Sequence, residues 1–191
     1  THLIEESQTD SLGGWQTDEF LKNLPDQIST PYICFLADDD LFVINNIGLG
    51  IDWLENHSEY SFVNGKAIIF SHEEIYPNLR LRDFSFYLQR GFSQESPTER
   101  LVSLFGDYHV LEYGISRTEQ FKNRWSKVFD SKVDNLTGEL INCSLVVTQG
   151  KTHCMENILF CRQAHSHMSS RGIITIKDLD FINFPTTSIR D

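Results

Sequence analysis

The chain has 191 residues, 40% hydrophobic and 23% charged, with fourteen Phe and three Trp. That composition is globular, fits a single domain with an aromatic-rich core, and excludes a disordered chain. A net charge of −11 argues against affinity built on Lys and Arg neutralising nucleic-acid phosphates, and no apolar run approaches the ~18 residues of a membrane-spanning helix.

Residues 1–14 are polar, close on Gly13-Gly14 and read as a mobile leading segment. They carry neither the basic nor the apolar region of a signal peptide, and no initiator Met, so the sequence reads as processed or as part of a longer protein. TDEFLKNLPDQIS predicts a helix, with Thr17 as N-cap, Phe20, Leu21 and Leu24 at helical spacing, and Pro25 interrupting it. Pro31 then opens YICFLA, a continuous apolar run of the kind found in a strand covered on both faces. INNIGLGIDWLENHSEY predicts a helix with Ile47, Leu49, Ile51, Trp53 and Leu54 inward, and YSFVNGKAIIF a strand with a kink or turn at Asn64-Gly65.

Residues 71–96 show no sustained period and read as a long loop, of the sort that is functional or mobile. SPTERLVSLFG predicts a helix capped by Ser96, with Pro97 at its first position and Glu99 as capping-box partner. YHVLEYGIS predicts a strand, RTEQFKNRWSKVF a helix, LTGELINCSLVVTQGK a buried helix ended by Gly150, and THCMENILFCRQAHSH a strand. Residues 171–191 form a tail with a further short helix or strand pair. Cys34, Cys143, Cys154 and Cys161 sit in apolar surroundings without C-x-x-C spacing and read as buried reduced thiols. Strands alternating with helices predict an α/β sheet with a largely parallel core.

The apolar run from Tyr32 ends in Asp38, Asp39 and Asp40. Ligands of α/β sheets bind beyond the carboxyl ends of strands, and hard carboxylate oxygens there suit Mg2+ or Mn2+ shared with a substrate phosphate. A solvated acidic turn, with one Asp capping the next helix, is the plainer reading. Two chemistries fit an aspartate pair at a strand end: nucleotide-sugar transfer, and phosphoryl transfer through an aspartyl nucleophile. Phe42 stands where the second would have Thr or Val.

TPYICFLADDD followed by IDWLENHSEYSFVNGKAIIF resembles the centre of the GT-A fold glycosyltransferases. The closest branch is the bacterial surface-polysaccharide one related to the family 2 enzymes. SPTERLVSLFGDYHVLEYGISRTE, LTGELINCSLVVTQGK and ILFCRQAH match later parts of the same domain type, so the resemblance covers residues 30–170. It implies a single glycosyltransferase-like domain over 1–191, α/β, with a GT-A-like (Rossmann-like), mostly parallel sheet flanked by helices. The resemblance also leads one to expect a nucleotide-binding βαβ unit before Tyr32, which the leading residues do not show, so the chain reads as a fragment of a longer enzyme, as one that holds the base differently, or as an inactive relative.

The resemblance also implies a nucleotide-diphosphate sugar as donor, Mn2+ or Mg2+ as cofactor, and inverting transfer of a hexosyl group to a glycan or lipid-linked acceptor. A cytoplasmic location is expected, with peripheral membrane association. Carried over by position, the metal falls to Asp38 and Asp40 at D-x-D spacing, or to the shifted pair Asp39 and Asp40. Asp38 and Asp39 also serve the donor, and His165 and His167 are late metal ligands. Glu139 takes the place of the general base that deprotonates the acceptor, with Asp134 as runner-up. Arg117 and Lys151, cations near element ends, are candidates to neutralise the diphosphate. A non-catalytic relative acting in binding or assembly, and an aspartate-nucleophile phosphotransferase, are the competing readings.

Overall fold

The computed structural model describes residues 22–37, 39–75, 78–131 and 133–164, and the side chains of these except 72–83 and 135. The strands are β1 (Tyr32–Cys34), β2 (Leu41–Phe42), β3 (Tyr60–Ile75), β4 (Asn78–Tyr87), β5 (Ile115–Arg117) and β6 (Lys151–Gln163). The helices are α1 (Ile44–Asn56), α2 (Pro97–Gly106), α3 (Thr118–Ser131) and α4 (Asn135–Gln149). A 3-10 turn at Leu24–Gln27, with Pro25 in its first positions, is the described remainder of the first predicted helix. Thr17, Phe20 and Leu21 lie outside the described residues, as does the tail after Ala164.

All six strands join one sheet in the order β1-β5-β3-β6-β2, with β4 on β3. The expected largely parallel sheet is instead mixed: β3 and β6 are parallel, and every other described pairing is antiparallel. The cause is β5. It lies between β1 and β3 and runs against both, so those two strands share a direction without touching as neighbours. The result is an α/β chain with a mixed sheet flanked by helices.

Burial on both faces explains the continuous apolar runs. Neighbours Phe62 and Val63 point to opposite sides of β3, and both are fully buried. Val63 packs with Leu54, Ile115, Met155 and Phe160 beneath α1. Phe62 packs with Leu104, Cys143, Val146 and Val147 beneath α2 and α4. Phe121, Trp125 and Phe129 of α3 form a third cluster against Ile33 and Phe35.

On α1 the inward face is Ile47, Gly50, Ile51 and Leu54, the spacing that 3.6 residues per turn allows. Leu49, expected inside, falls on the other side and is 47% exposed. Gly50 takes its place because an added Cβ there would lie 2.2 Å from Ile115 Cδ1.

Two irregular stretches also differ from expectation. Residues 71–75 end β3 and residues 78–87 form β4, which pairs antiparallel with it, so these residues are strand and not loop. Ser71 faces Asp83 but His72 faces Leu81, so Arg82 is an extra residue that breaks the alternation. In YHVLEYGIS only Ile115 onward is strand. Tyr108 and Val110 pack on the α2–α4 cluster and Leu111 lies within it, its amide donating to Cys143 Sγ. The helix ended by Gly150 and the long strand after Lys151 are as predicted, and so is the start of the Pro97 helix, but Ser96 makes no side-chain cap hydrogen bond and the expected capping box with Glu99 is not formed.

The chain enters β5 through Gly114, where an added Cβ would lie 2.3 Å from Phe62 Cζ and 2.7 Å from the Val63 carbonyl oxygen. Gly114→Ala therefore destabilises the protein, by about 1–3 kcal/mol in urea unfolding. Wild-type stability would contradict so close an approach of this segment to β3.

Candidate functional site

Because β1, β3 and β6 share a direction, their carboxyl ends open on one side, where ligands of α/β sheets bind. The reversal of β5 brings the residues before it, Glu112 and Tyr113, to that same side. Helix α4 runs back toward the start of β6, which places Glu139 near the carboxyl ends too. Tyr87 closes β4 opposite Ala67.

Asp39 and Asp40 form the turn after β1. Asp40 is 5% exposed, and its Oδ1 accepts a 2.8 Å hydrogen bond from the Gln163 amide. Its own amide donates to the Ala37 carbonyl, so the turn is fastened to the end of β6. Asp39 is half-buried. Burial first, with Glu112, Asp40 and Asp39 adding their charges against Arg162, pushes the Tyr113 phenol up.

Arg162, near the end of β6, is the cation of this cluster. Its guanidinium lies 5.6 Å from the Tyr87 ring centroid and 5.7 Å from that of Tyr113, and Nη1 donates to the Tyr87 hydroxyl at 3.3 Å. Burial works against its charge, but Tyr87, Tyr113, Asp40 and Glu139 outweigh burial and hold it above its ordinary value. Glu139 Oε1 accepts a 2.9 Å bond from the Tyr108 hydroxyl. Burial raises the Glu139 carboxyl, against the pull of Tyr108 and Arg162. Glu112 is pushed up to about 8, by burial and then by the charge of Glu139.

Arg162 therefore links Asp40 to Glu139, and Tyr113 lies near both Asp39 and Asp40. Asp38, His165 and His167 lie outside the described residues. Asp134 caps α4: it is exposed, accepts from the Thr137 amide at 3.0 Å and the Thr137 hydroxyl at 2.7 Å, and these bonds hold its carboxyl below the ordinary range. Arg117 and Lys151 do not reach the aspartate turn. Arg117 pairs with Tyr32 and Lys151 with Tyr60, at the amino ends of the codirectional strands. Arg117 donates to the carbonyls of Tyr60, Leu54 and His57 and to the Tyr32 hydroxyl, which ties the C-terminal end of α1 to β3. Lys151 pairs with Glu95.

Arg162, Glu112 and the three tyrosines are the site residues that the sequence reading missed. The available signal was a lone charge inside an apolar run, as in ILFCRQ and HVLEYG. Among the described residues, no group of three or more His, Cys, Asp or Glu side chains is arranged to hold a metal ion. All four cysteines are unpaired. No helix among the described residues is long and apolar enough to cross a membrane. No protein-family model matches the chain, and no curated protein matches it.

Removing the Arg117 clamp takes the guanidinium bonds from the carbonyls of Tyr60, Leu54 and His57, although the last two keep a backbone donor. Arg117→Ala is expected to cost about 1–3 kcal/mol in thermal or urea unfolding, whereas Lys151→Ala, which breaks a pair with an exposed glutamate, changes the melting temperature little. Equal effects from the two would contradict these assignments.

Proposed function

We propose that the chain is a metal-dependent glycosyltransferase domain of GT-A type, moving a sugar from a nucleotide-diphosphate donor to an acceptor hydroxyl with inversion. The observation that carries this reading is the meeting of Asp39-Asp40, Arg162 and Glu139 at the carboxyl end of three codirectional strands. That end holds acidic oxygens, a guanidinium and a carboxyl of raised basicity, the three kinds of group that such a transfer needs.

The donor leaves as a nucleoside diphosphate, so negative charge grows on the phosphate side as the glycosidic bond breaks. Mn2+ or Mg2+, held by Asp39 and Asp40 with Asp38, His165 and His167 as further candidate ligands, supplies positive charge there when bound. Two described carboxylates suit this mode, because such ions complete their shell with water and substrate phosphate. Arg162 adds a fixed positive charge beside Asp40, kept in place by the faces of Tyr87 and Tyr113. Glu139 takes the acceptor's proton. Tyr108 holds its Oε1, which leaves Oε2 for the acceptor hydroxyl. A carboxyl whose basicity burial has raised accepts that proton more readily than an ordinary surface glutamate.

Calorimetric titration with Mn2+ and a panel of nucleoside diphosphates tests the reading. Wild type is expected to bind one of them in a Mn2+-dependent way, and Asp39→Ala and Asp40→Ala to lose that binding. Glu139→Gln keeps nucleotide affinity but loses on the order of 100-fold or more in transfer rate. Absence of nucleotide binding with and without Mn2+ would sink the proposal, and full turnover by Glu139→Gln would remove Glu139 from the role of base.

A further inference from the structure

Glu139 does not stand alone. Glu139, Asn142 and Cys143 are spaced i, i+3, i+4 and share the inner face of α4. The Leu111 amide donates to Cys143 Sγ at 3.2 Å, which fastens the segment carrying Glu112 against that face. Asn142 is buried beside the Glu112 side chain, where its small pull favours the ionised carboxylate and is outweighed by burial and by Glu139. Its Oδ1 accepts from Arg124 Nε at 3.2 Å, and Arg124 Nη2 donates to Ser116 Oγ at 2.6 Å. With its oxygen occupied by the guanidinium, Asn142 turns its amide hydrogens toward Glu112. Tyr108 fixes the other carboxyl at Glu139 Oε1. Two acids thus lie within coulombic reach of each other, one fixed by the Tyr108 hydroxyl and the other carried by the segment that Cys143 fastens.

We propose that Glu112 and Glu139 act as one proton-sharing pair, in which Glu112 is a positioning residue that retains a proton at neutral pH and leaves Glu139 as the ionised base. Among the described residues, two guanidinium groups face the pair. Arg162 faces the pair from β6 but is shared with Asp40, and Arg124 faces it from α3. Tyr108, Tyr113 and Cys143 are uncharged, each pushed further from ionisation by burial and by the carboxylates, and Tyr87 faces Arg162 and Glu139. Like charges in a partly desolvated recess cannot both ionise cheaply, so one proton is retained. The rise of Glu112 to about 8 agrees with this.

In the transfer step the acceptor oxygen forms the new bond to the anomeric carbon as the bond to the diphosphate oxygen breaks, and the diphosphate keeps that electron pair. The hydroxyl proton passes to Glu139, so the pair goes from one proton to two and from −1 to neutral. It returns one proton to water after product leaves. This catalytic consequence rests on the glycosyl-transfer reading, while the pairing itself does not.

Thermal unfolding against pH tests the pair on the intact chain without any substrate. A native carboxyl raised above its unfolded value of roughly 4 binds a proton that the unfolded chain has lost, so stability falls between there and about 8 and then levels off. Wild type is expected to show that fall. Glu112→Gln removes the part of the fall that ends near pH 8, leaving the smaller part due to the raised Glu139 carboxyl, and melts higher than wild type at pH 8. Glu139→Gln takes away the neighbouring charge and moves the upper end of the fall down by about one pH unit or more. A wild type without the fall overturns the pair, as does a Glu139→Gln variant whose upper end stays put, since Glu112 would then be raised by burial alone. Carboxyl-carbon NMR titration of the wild type gives the same answer should a variant fail to fold.

In a transfer assay, wild type loses rate near pH 8 as the second charge forms beside the diphosphate, and Glu112→Gln abolishes that alkaline limb. An unchanged limb overturns the catalytic half of the proposal. An intact pair in a chain that transfers no sugar overturns the glycosyltransferase reading instead.

Discussion

Three residues fix the arrangement on which the site depends. Ile115, Ser116 and Arg117 hydrogen-bond to β1 on one side and β3 on the other, running against both. Ser116 faces Ile33 and Phe62, and Ile115 faces Cys34 and Val63, so the strand lies in the middle of the sheet. A strand reversed at this place delivers the residues before it, Glu112 and Tyr113, to the carboxyl ends of its neighbours. It delivers the residue that ends it, Arg117, to their amino ends. Arg117 consequently becomes a clamp for the end of α1, and the acidic side of the molecule gains Glu112. Gly114 permits the turn because Phe62 and the Val63 carbonyl leave no room for a side chain.

Much of this fold is legible in the sequence where local rules act alone. Pro97 starts a helix, Gly150 ends another, and the apolar run from Lys151 is a strand. The rest depends on pairing, which local patterns do not encode. Strand–helix alternation cannot show that β5 enters the sheet reversed. The extra residue at Arg82 shifts the alternation of Leu79 and Leu81 relative to Phe84 and Phe86, which disguises a hairpin as a loop. Phe84 and Phe86, 72% and 76% exposed, further hide it, because no described element covers that face.

The aspartate turn is legible because three adjacent carboxylates after an apolar strand are conspicuous. Glu112 and Arg162 are not, since a single charge within an apolar run has the same appearance at a solvated edge and in a recess. Arg117 and Lys151 share a different difficulty. Both sit at the ends of elements, but only the three-dimensional order shows that these are the ends away from Asp39 and Asp40.

Among the described residues, Arg162 and Arg124 are the guanidinium groups that act on Glu112, Arg162 also acts on Asp40 and Glu139, and Arg124 is brought down to about 10 by its own burial. Buried charges of this kind add less to stability than apolar groups of similar size. A dication with a diphosphate would bring charge of both signs to the aspartates and Arg162 while leaving the Glu112–Glu139 pair to handle a proton.

Paramagnetic broadening by Mn2+, read residue by residue in an amide NMR spectrum with a nucleoside diphosphate present, tests that claim most directly. The amides of Asp40 and Gln163, joined through the Asp40 carboxylate, should broaden first. The amide of Lys151, on the order of 35 Å away along β6, should stay sharp. Broadening centred on the amino ends of the strands, or none that depends on the nucleotide, would contradict the account.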